Sequence, residues 1–142
     1  MKKPRVLVAD DHRVVAEGLR GLLDAYFDVV GIASDGREVL SAVKALDPDV
    51  VVLDISMPSL NGIEAARQLR STNTRAKVVL LTMHRDVAYA ARGLEAGASG
   101  FVLKHSAPSE LVTAIEESLG GGTYVTPQIA GEPPPEPRGW PT

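Results

Sequence analysis

Five short runs of mostly apolar residues alternate along the chain with segments whose apolar residues recur every three or four positions. The runs cover residues 6–9, 29–33, 50–53, 78–81 and 101–103. They are nearly continuous, which is typical of strands buried on both faces of a parallel sheet. The spacing between them is typical of amphipathic helices. Strict alternation of strand and helix predicts an α/β fold, with right-handed crossovers that place helices on both faces of the sheet.

Length and composition place the chain among single-domain globular proteins. Its 142 residues suffice for one hydrophobic core, and 44% hydrophobic with 23% charged residues is ordinary for such a domain. A net charge of -3, without a long basic run, disfavours non-specific binding of nucleic acid by this chain itself. The absence of cysteine excludes disulfides and thiolate metal sites, and it agrees with a cytoplasmic location.

The two ends of the sequence carry different signals. No apolar segment approaches the ~18 residues of a transmembrane helix, and the apolar run after the basic start is too short for a signal peptide. Five of the twelve residues at positions 131–142 are proline, which favours an extended linker over a packed element. We expect one globular domain over residues 4–125 and a disordered, proline-rich linker or tail over residues 126–142. Trp140 is then a linker residue rather than a docking anchor.

Polar residues stand where the apolar runs end. Asp10 and Asp11 follow the first run, Asp54 the third, Thr82 the fourth and Lys104 the fifth. The carboxyl ends of parallel strands share one edge of a sheet, where ligands bind in such folds, so these side chains are predicted to meet in one crevice. Each also has a simpler explanation. Asp11 could cap the first helix, an Asp or Thr after a strand often starts a turn, and Lys104 could be a solvated surface lysine.

Taken together, these residue types favour phosphoryl transfer. Two like charges 4 Å apart repel by about 4 kcal/mol at an effective dielectric of ~20. A divalent cation such as Mg²⁺, which prefers oxygen ligands, removes that cost. Lys104 supplies a positive charge for a phosphoryl oxygen. A carboxylate in such a site can attack phosphorus and form an acyl phosphate, and the central Asp54 is the predicted nucleophile.

Four motifs follow one another along residues 4–125. The segment DISMPSLNGIE, at residues 54–64, carries Met-Pro and Asn-Gly-Ile-Glu at set distances after its aspartate. The acidic pair followed by His12, Thr82 after VVLL, and GASGFVLK ending at Lys104 complete the set. In this order and at these spacings the motifs resemble the receiver domain of bacterial two-component response regulators.

The resemblance implies a flavodoxin-like (βα)5 three-layer sandwich with a parallel sheet in the order 2-1-3-4-5. It implies that a histidine kinase phosphorylates Asp54 from its phosphohistidine, as one step of a two-component phosphorelay. Mg²⁺ would be held by the side chains of Asp11 and Asp54 and by the backbone carbonyl of Ser56, with Asp10 acting mainly through water. Lys104 would contact the phosphoryl group.

The resemblance also implies a switch pair and two tuning positions. Thr82 would move its hydroxyl to a phosphoryl oxygen, and the Phe101 ring would turn inward to fill the vacated space. Ser56 and His84 would flank the phosphoryl group and tune how readily water reaches phosphorus. The protein would then be a phosphoacceptor that can catalyse its own phosphorylation and dephosphorylation, and not an enzyme acting on other substrates.

Two C-terminal segments, KHSAPSELVTAI and GGTYVTPQIA, resemble the receiver subfamily that carries a LuxR-type DNA-binding helix-turn-helix and regulates transcription. No helix-turn-helix follows them in this sequence. We therefore expect either a receiver separated from a longer regulator or a stand-alone receiver that acts through protein–protein contacts. In both cases DNA would be bound only through an output domain absent from this chain. The outer helix faces could form a homodimer.

Three other functions remain open at this point. An Asp-nucleophile phosphatase of the haloacid-dehalogenase type also has a strand-end Asp, a Thr and a Lys, but it has a second Asp where this chain has Ser56. A flavodoxin-like electron carrier needs a hydroxyl-rich phosphate loop after the first strand, where this chain reads DDHRVV. A phosphorylation-independent interaction domain would have no need to keep the five site residues.

Overall fold

A single parallel sheet forms the centre of the protein. The computed structural model describes residues 3–58, 60–72, 74–83 and 87–127, with the backbone alone at residue 87. Within these residues the sheet has six strands in the order β2-β1-β3-β4-β5-β6, and every neighbouring pair is parallel. The strands are β1 Arg5–Ala9, β2 Asp28–Ala33, β3 Val50–Asp54, β4 Lys77–Thr82, β5 Gly100–Leu103 and β6 Tyr124–Val125.

In the described part of the chain, five α-helices connect these strands and cover both faces of the sheet. They are α1 Arg13–Asp24, α2 Gly36–Leu46, α3 Gly62–Ser71, α4 Val87–Glu95 and α5 Ala107–Leu119. Successive side chains in a strand point to opposite faces, so Leu7 packs with α2, α3 and α4 on one side, and Val8 packs with α1 and α5 on the other. The central strands are therefore buried on both faces, as their continuous apolar runs predict.

Local sequence fixes where several helices begin. The side chain of Asp35 accepts a hydrogen bond from the backbone N–H of Glu38, and the Glu38 carboxylate accepts one from the N–H of Ser34. This reciprocal pair satisfies free N–H groups in the manner of a capping box. Asn61 caps α3 in the same way, by accepting from the N–H of Glu64. The N-cap of α1 is His12, so the explanation of Asp11 as a helix cap is wrong.

The predicted α/β fold and the strand order 2-1-3-4-5 are confirmed, and the structure adds β6, which the sequence interpretation missed. That strand is only two residues long and pairs with β5 alone. Thr126, which the predicted boundary places in the tail, is fully buried beside it. Positions 128–142, with Trp140, lie outside the described residues, so the tail stays a prediction. No described helix is long and apolar enough to cross a membrane.

Candidate acidic site at the carboxyl edge of the sheet

Two carboxylates and one ammonium group meet at the carboxyl edge of the sheet. Asp10 follows β1, Asp54 is the last residue of the neighbouring strand β3, and Lys104 follows β5. The Nζ of Lys104 extends past β4 and lies 2.9 Å from Oδ2 of Asp10 and 3.0 Å from Oδ2 of Asp54. Strand order alone brings these residues together, because 50 positions separate Asp54 from Lys104 in the chain.

The site is buried, and burial sets its electrostatics. Asp10 is 1% exposed and Asp54 is 2% exposed, while the Lys104 side chain is 13% exposed. Burial raises the pKa of Asp54, and the negative charge of Asp10 raises it further. The Lys104 ammonium lowers this pKa, but not enough to cancel the rise. Burial by itself lowers the pKa of Lys104, but its contacts with Asp10 and Asp54 outweigh burial, so the pKa is raised overall. The lysine is therefore held as a cation.

Two further side chains extend the cluster toward solvent. Asp11 and His12 lie at the start of α1, and the His12 Nδ1 is 3.4 Å from an Asp10 oxygen and 3.3 Å from an Asp11 oxygen. One ligand atom from each of Asp10, Asp11, His12 and Asp54 can be chosen so that all four lie within 4.8 Å of one another. The sequence analysis named His12 in a motif but did not predict that its side chain lies in the acidic cluster. Its only signal is its place directly after the acidic pair.

The residues present fit a hard divalent cation. The cluster holds three carboxylates, and the Lys104 ammonium pairs with two of them, which leaves an excess of negative charge. The buried Oδ2 of Asp10 is paired with the Lys104 ammonium at 2.9 Å, and no other described group hydrogen-bonds to it. Clustered, incompletely satisfied carboxylate oxygens are the ligands that Mg²⁺ prefers. An imidazole is a poorer ligand for this ion, so His12 is suited to the rim of the site.

The backbone after β3 holds the Asp54 carboxylate in place. The N–H of Ser56 lies 3.3 Å from Oδ1 of Asp54 and donates to it. The N–H of Gly62 donates to the carbonyl of Ile55, which turns the loop back under the site. A Cβ on Gly62 would lie 2.5 Å from the Asp54 carbonyl oxygen and 2.7 Å from the Ile55 Cα. A glycine is thus required at this position of the Asn-Gly motif, because the start of α3 packs directly on the backbone of Asp54, the predicted phosphoacceptor.

The predicted switch residues flank the site from β4 and β5. Thr82 is the last residue of β4, between Asp54 and Lys104 along the edge, and it is 1% exposed. Phe101 is fully buried, and a Cβ on Gly93 of α4 would lie 3.1 Å from two of its ring carbons. The ring therefore points inward and packs under α4. Of the two tuning positions, Ser56 is exposed at the rim, and His84 lies outside the described residues.

Comparison with known proteins identifies the family. Residues 6–116 match the family described as the response regulator receiver domain. The chain therefore belongs to the receiver domains of response regulators, and the predicted family is confirmed. Receiver domains are generally signalling proteins rather than classical enzymes, so the family match favours the receiver over the phosphatase and the electron carrier.

The similar proteins include transcriptional regulators. The chain is 35% identical over 129 residues to the transcriptional regulatory protein DegU of Brevibacillus brevis, covering 89% of this chain and 55% of DegU. It is 40% identical over 128 residues to the response regulator GacA of Pseudomonas viridiflava, covering 89% of this chain and 60% of GacA. The chain thus spans 55–60% of the length of these curated relatives.

A solved structure agrees with this placement. The crystal structure of a LuxR-family two-component response regulator from Aurantimonas sp. SI85-9A1 superposes with a TM-score of 0.86 at 40% identity, covering 91% of this chain and 94% of that chain. The similarity therefore extends over nine-tenths of this chain.

Proposed function

We propose that this chain is a phosphorylation-activated switch in which Asp54 accepts a phosphoryl group from the phosphohistidine of a histidine kinase. The observation that carries the proposal is the 3.0 Å contact between the buried Asp54 carboxylate and the Lys104 ammonium, beside two more carboxylates. A carboxylate held at a strand end, with a fixed cation next to it, is placed to attack phosphorus and to have the transferred charge neutralised.

The reaction exchanges one bond for another. An Asp54 oxygen forms a bond to phosphorus as the bond from phosphorus to the kinase histidine nitrogen breaks, and the electron pair of that bond leaves with the imidazole. Asp54 becomes an acyl phosphate. The chain's contribution is position and charge rather than proton transfer. Lys104 is released from part of its pairing with Asp54 and stabilises a phosphoryl oxygen, and the N–H of Ser56 fixes the orientation of the carboxylate.

Mg²⁺ would be held by the side chains of Asp11 and Asp54 and by the backbone carbonyl of Ser56, with Asp10 acting mainly through water. When bound, the ion supplies positive charge that offsets the repulsion between carboxylates and phosphoryl oxygens. Ser56 and His84 would set how readily water reaches the acyl phosphate. The same site would therefore govern both the formation and the hydrolysis of the acyl phosphate.

The switch would follow from added charge at Asp54. A phosphoryl group adds roughly two negative charges and strong acceptor oxygens, to which Lys104 and the Thr82 hydroxyl would turn. Moving a population from 1:99 to 99:1 requires about 5.5 kcal/mol. Two or three hydrogen bonds to a charged group, at about 1.5–3 kcal/mol each, supply that amount. Phe101 packs inward in this structure, and its inward position would be the one favoured after phosphorylation.

The output of the switch is proposed from the relatives. DegU is named as a transcriptional regulatory protein, and the similar structure is of the LuxR family. We propose that this receiver controls transcription in the cytoplasm through an output domain that binds DNA. A stand-alone receiver that acts through protein contacts is the second candidate. A homodimer formed through outer helix faces fits either output.

The proposal is tested by intact-protein mass after incubation with acetyl phosphate and Mg²⁺. We expect one phosphoryl adduct that hydroxylamine removes, as it does an acyl phosphate, and no adduct in Asp54→Asn. Asp47→Asn, at an exposed carboxylate far from the site, is the matched control and should be phosphorylated as the wild type is. A wild-type chain that remains unmodified would support a phosphorylation-independent interaction domain instead, and an adduct that persists in Asp54→Asn would show that another residue is the acceptor.

A further inference from the structure

A second hydrogen-bonded cluster lies on the outer side of β5, next to the acidic site. The hydroxyl of Thr126 accepts from the N–H of Leu103 at 3.0 Å and donates to the Glu110 carboxylate at 2.9 Å. The hydroxyl of Tyr124 donates to the same Glu110 oxygen at 2.9 Å. Thr126 is fully buried. Leu103 immediately precedes Lys104, so the cluster reaches the backbone of the site itself.

The backbone of β6 fixes the same edge of β5. The N–H of Tyr124 donates to the carbonyl of Ser99 at 3.0 Å, and the N–H of Thr126 donates to the carbonyl of Phe101 at 2.9 Å. Phe101 is the predicted switch residue. β6 and Thr126, the residue after it, thus bind the outer edge of β5 from Ser99 to Leu103.

The contacts form a closed ring of bonds around the Lys104 backbone. Thr126 holds the N–H of Leu103, which precedes Lys104. The carbonyl of Lys104 accepts from the N–H of Ala107, where α5 begins. Three residues further along α5, Glu110 accepts from Thr126 and closes the ring. The backbone is therefore held by hydrogen bonds at the residue before Lys104 and at the carbonyl of Lys104 itself. The Lys104 side chain extends from this backbone to the two buried carboxylates.

The chemistry of the cluster favours its persistence. Bonds from hydroxyl groups to a carboxylate are charge-assisted and stronger than neutral ones. Burial, together with the negative charge of Glu110, raises the pKa of Tyr124, so the phenol keeps the proton that it donates. Thr126 gives the N–H of Leu103 an acceptor inside a buried region, where an unpaired donor is costly. Removing the Thr126 hydroxyl would leave this N–H and one Glu110 lone pair unsatisfied.

We propose that Thr126, with Glu110 and Tyr124, is a positioning cluster that sets the Lys104 ammonium relative to Asp54. The inference rests on the proposed phosphoryl transfer to Asp54. Displacement of a catalytic group by about 1 Å can cost roughly a hundredfold in rate, so a smaller shift of Lys104 is expected to cost about tenfold. Because coupling between two sites is reciprocal, phosphorylation must also change how firmly β6 is held.

The test uses the full 142-residue chain and four variants. Thr126→Val removes the hydroxyl at nearly constant volume, Thr126→Ser restores it, and Tyr124→Phe removes one donor to Glu110. Ser118→Ala is the matched control, because the Ser118 hydroxyl is also buried in α5 but donates at 2.8 Å to the Ala114 carbonyl, away from β6. The readouts are the rate of phosphorylation by acetyl phosphate at saturating Mg²⁺ and the NMR signal of the Lys104 ammonium without phosphodonor.

We expect Thr126→Val to be phosphorylated about tenfold more slowly and to shift the Lys104 signal, with Thr126→Ser close to the wild type. Tyr124→Phe should lie between them, and Ser118→Ala should leave both readouts unchanged. Amide exchange at Tyr124 and Thr126 should change on phosphorylation of the wild type. A Thr126→Val chain with wild-type rate and signal would overturn the inference, as would an equal loss in Ser118→Ala.

If Thr126→Val does not fold, Tyr124→Phe decides by the same two readouts. A wild-type chain that accepts no phosphoryl group would count against the proposed function. The Lys104 signal, recorded without phosphodonor, would still show whether the cluster positions that side chain. The two failures are therefore distinguishable.

Discussion

The Nζ of Lys104 lies 2.9 Å from Oδ2 of Asp10, a buried oxygen to which no other described group hydrogen-bonds. Since the same ammonium also contacts Asp54 at 3.0 Å, one cation offsets two buried carboxylates. The interior of the site is short of positive charge, and the stability of the protein should respond to any change in that balance.

Lys104→Met keeps the length of the side chain but leaves Asp10 and Asp54 without their shared cation. Breaking a buried ion pair from one side costs about 3–5 kcal/mol. We expect a loss of about 2–3 kcal/mol in the free energy of unfolding, because the Lys104 side chain is 13% exposed and water can reach it. Urea denaturation without divalent cations measures the loss. Lys44→Met, at an exposed lysine of α2, should change stability little, and an equal loss there would contradict the assignment.

Asp54→Asn should stabilise the fold in the absence of Mg²⁺. Burial raises the pKa of Asp54, so its ionised form is less favourable in the folded protein than in the unfolded chain. Removing the charge should raise the free energy of unfolding by about 1 kcal/mol at pH 7, an ordinary size for a single substitution. The gain should shrink as the pH falls and vanish below 3.8, the usual pKa of aspartate, because the wild-type carboxyl group is then protonated in both states. Denaturation at several pH values would show the opposite trend if Asp54 stabilised the fold as an anion.

Mg²⁺ should raise the thermal midpoint of the wild-type chain through the acidic cluster. A ligand present at a hundred times its dissociation constant stabilises the folded state by about 2.7 kcal/mol. Asp11→Asn should lose most of this shift while remaining folded, because Asp11 is at the exposed rim and does not cap α1. Differential scanning calorimetry with and without Mg²⁺ measures both values. An undiminished shift in Asp11→Asn would place the ion elsewhere.

Two glycine substitutions should have opposite effects. A Cβ on Gly62 would lie 2.5 Å from the Asp54 carbonyl oxygen, and backbone atoms cannot move aside as a flexible side chain can. We expect Gly62→Ala to destabilise the fold by about 1–3 kcal/mol, the usual cost of overpacking. Gly18→Ala, on an open face of α1 with nothing within 4 Å, should instead stabilise by up to about 1 kcal/mol through helix propensity. Urea denaturation measures both effects. If both variants were destabilised, the open space at Gly18 would be contradicted. If both were stabilised, the close contact at Gly62 would be contradicted.

The helices, the first five strands and the residues available for chemistry could be predicted from local patterns in the amino-acid sequence. Continuous apolar runs and helical spacing are local patterns, so the strands from β1 to β5 and their polar ends at Asp10, Asp54 and Lys104 could be predicted. Asp35 and Asn61 cap α2 and α3 through bonds to residues three positions away, and such short-range contacts leave a trace in the sequence.

Which of these residues are in contact depends on the packing of the folded chain. The ion pairs of Lys104 depend on β4 lying between β3 and β5, and no local pattern reports the distance between strand ends. β6 is two residues long, too short for any periodicity, and it forms because the β5 edge and Glu110 offer partners for its backbone and hydroxyl groups. Elements made by local propensity can be predicted from sequence, whereas those made by a neighbouring surface become visible only after the chain has packed.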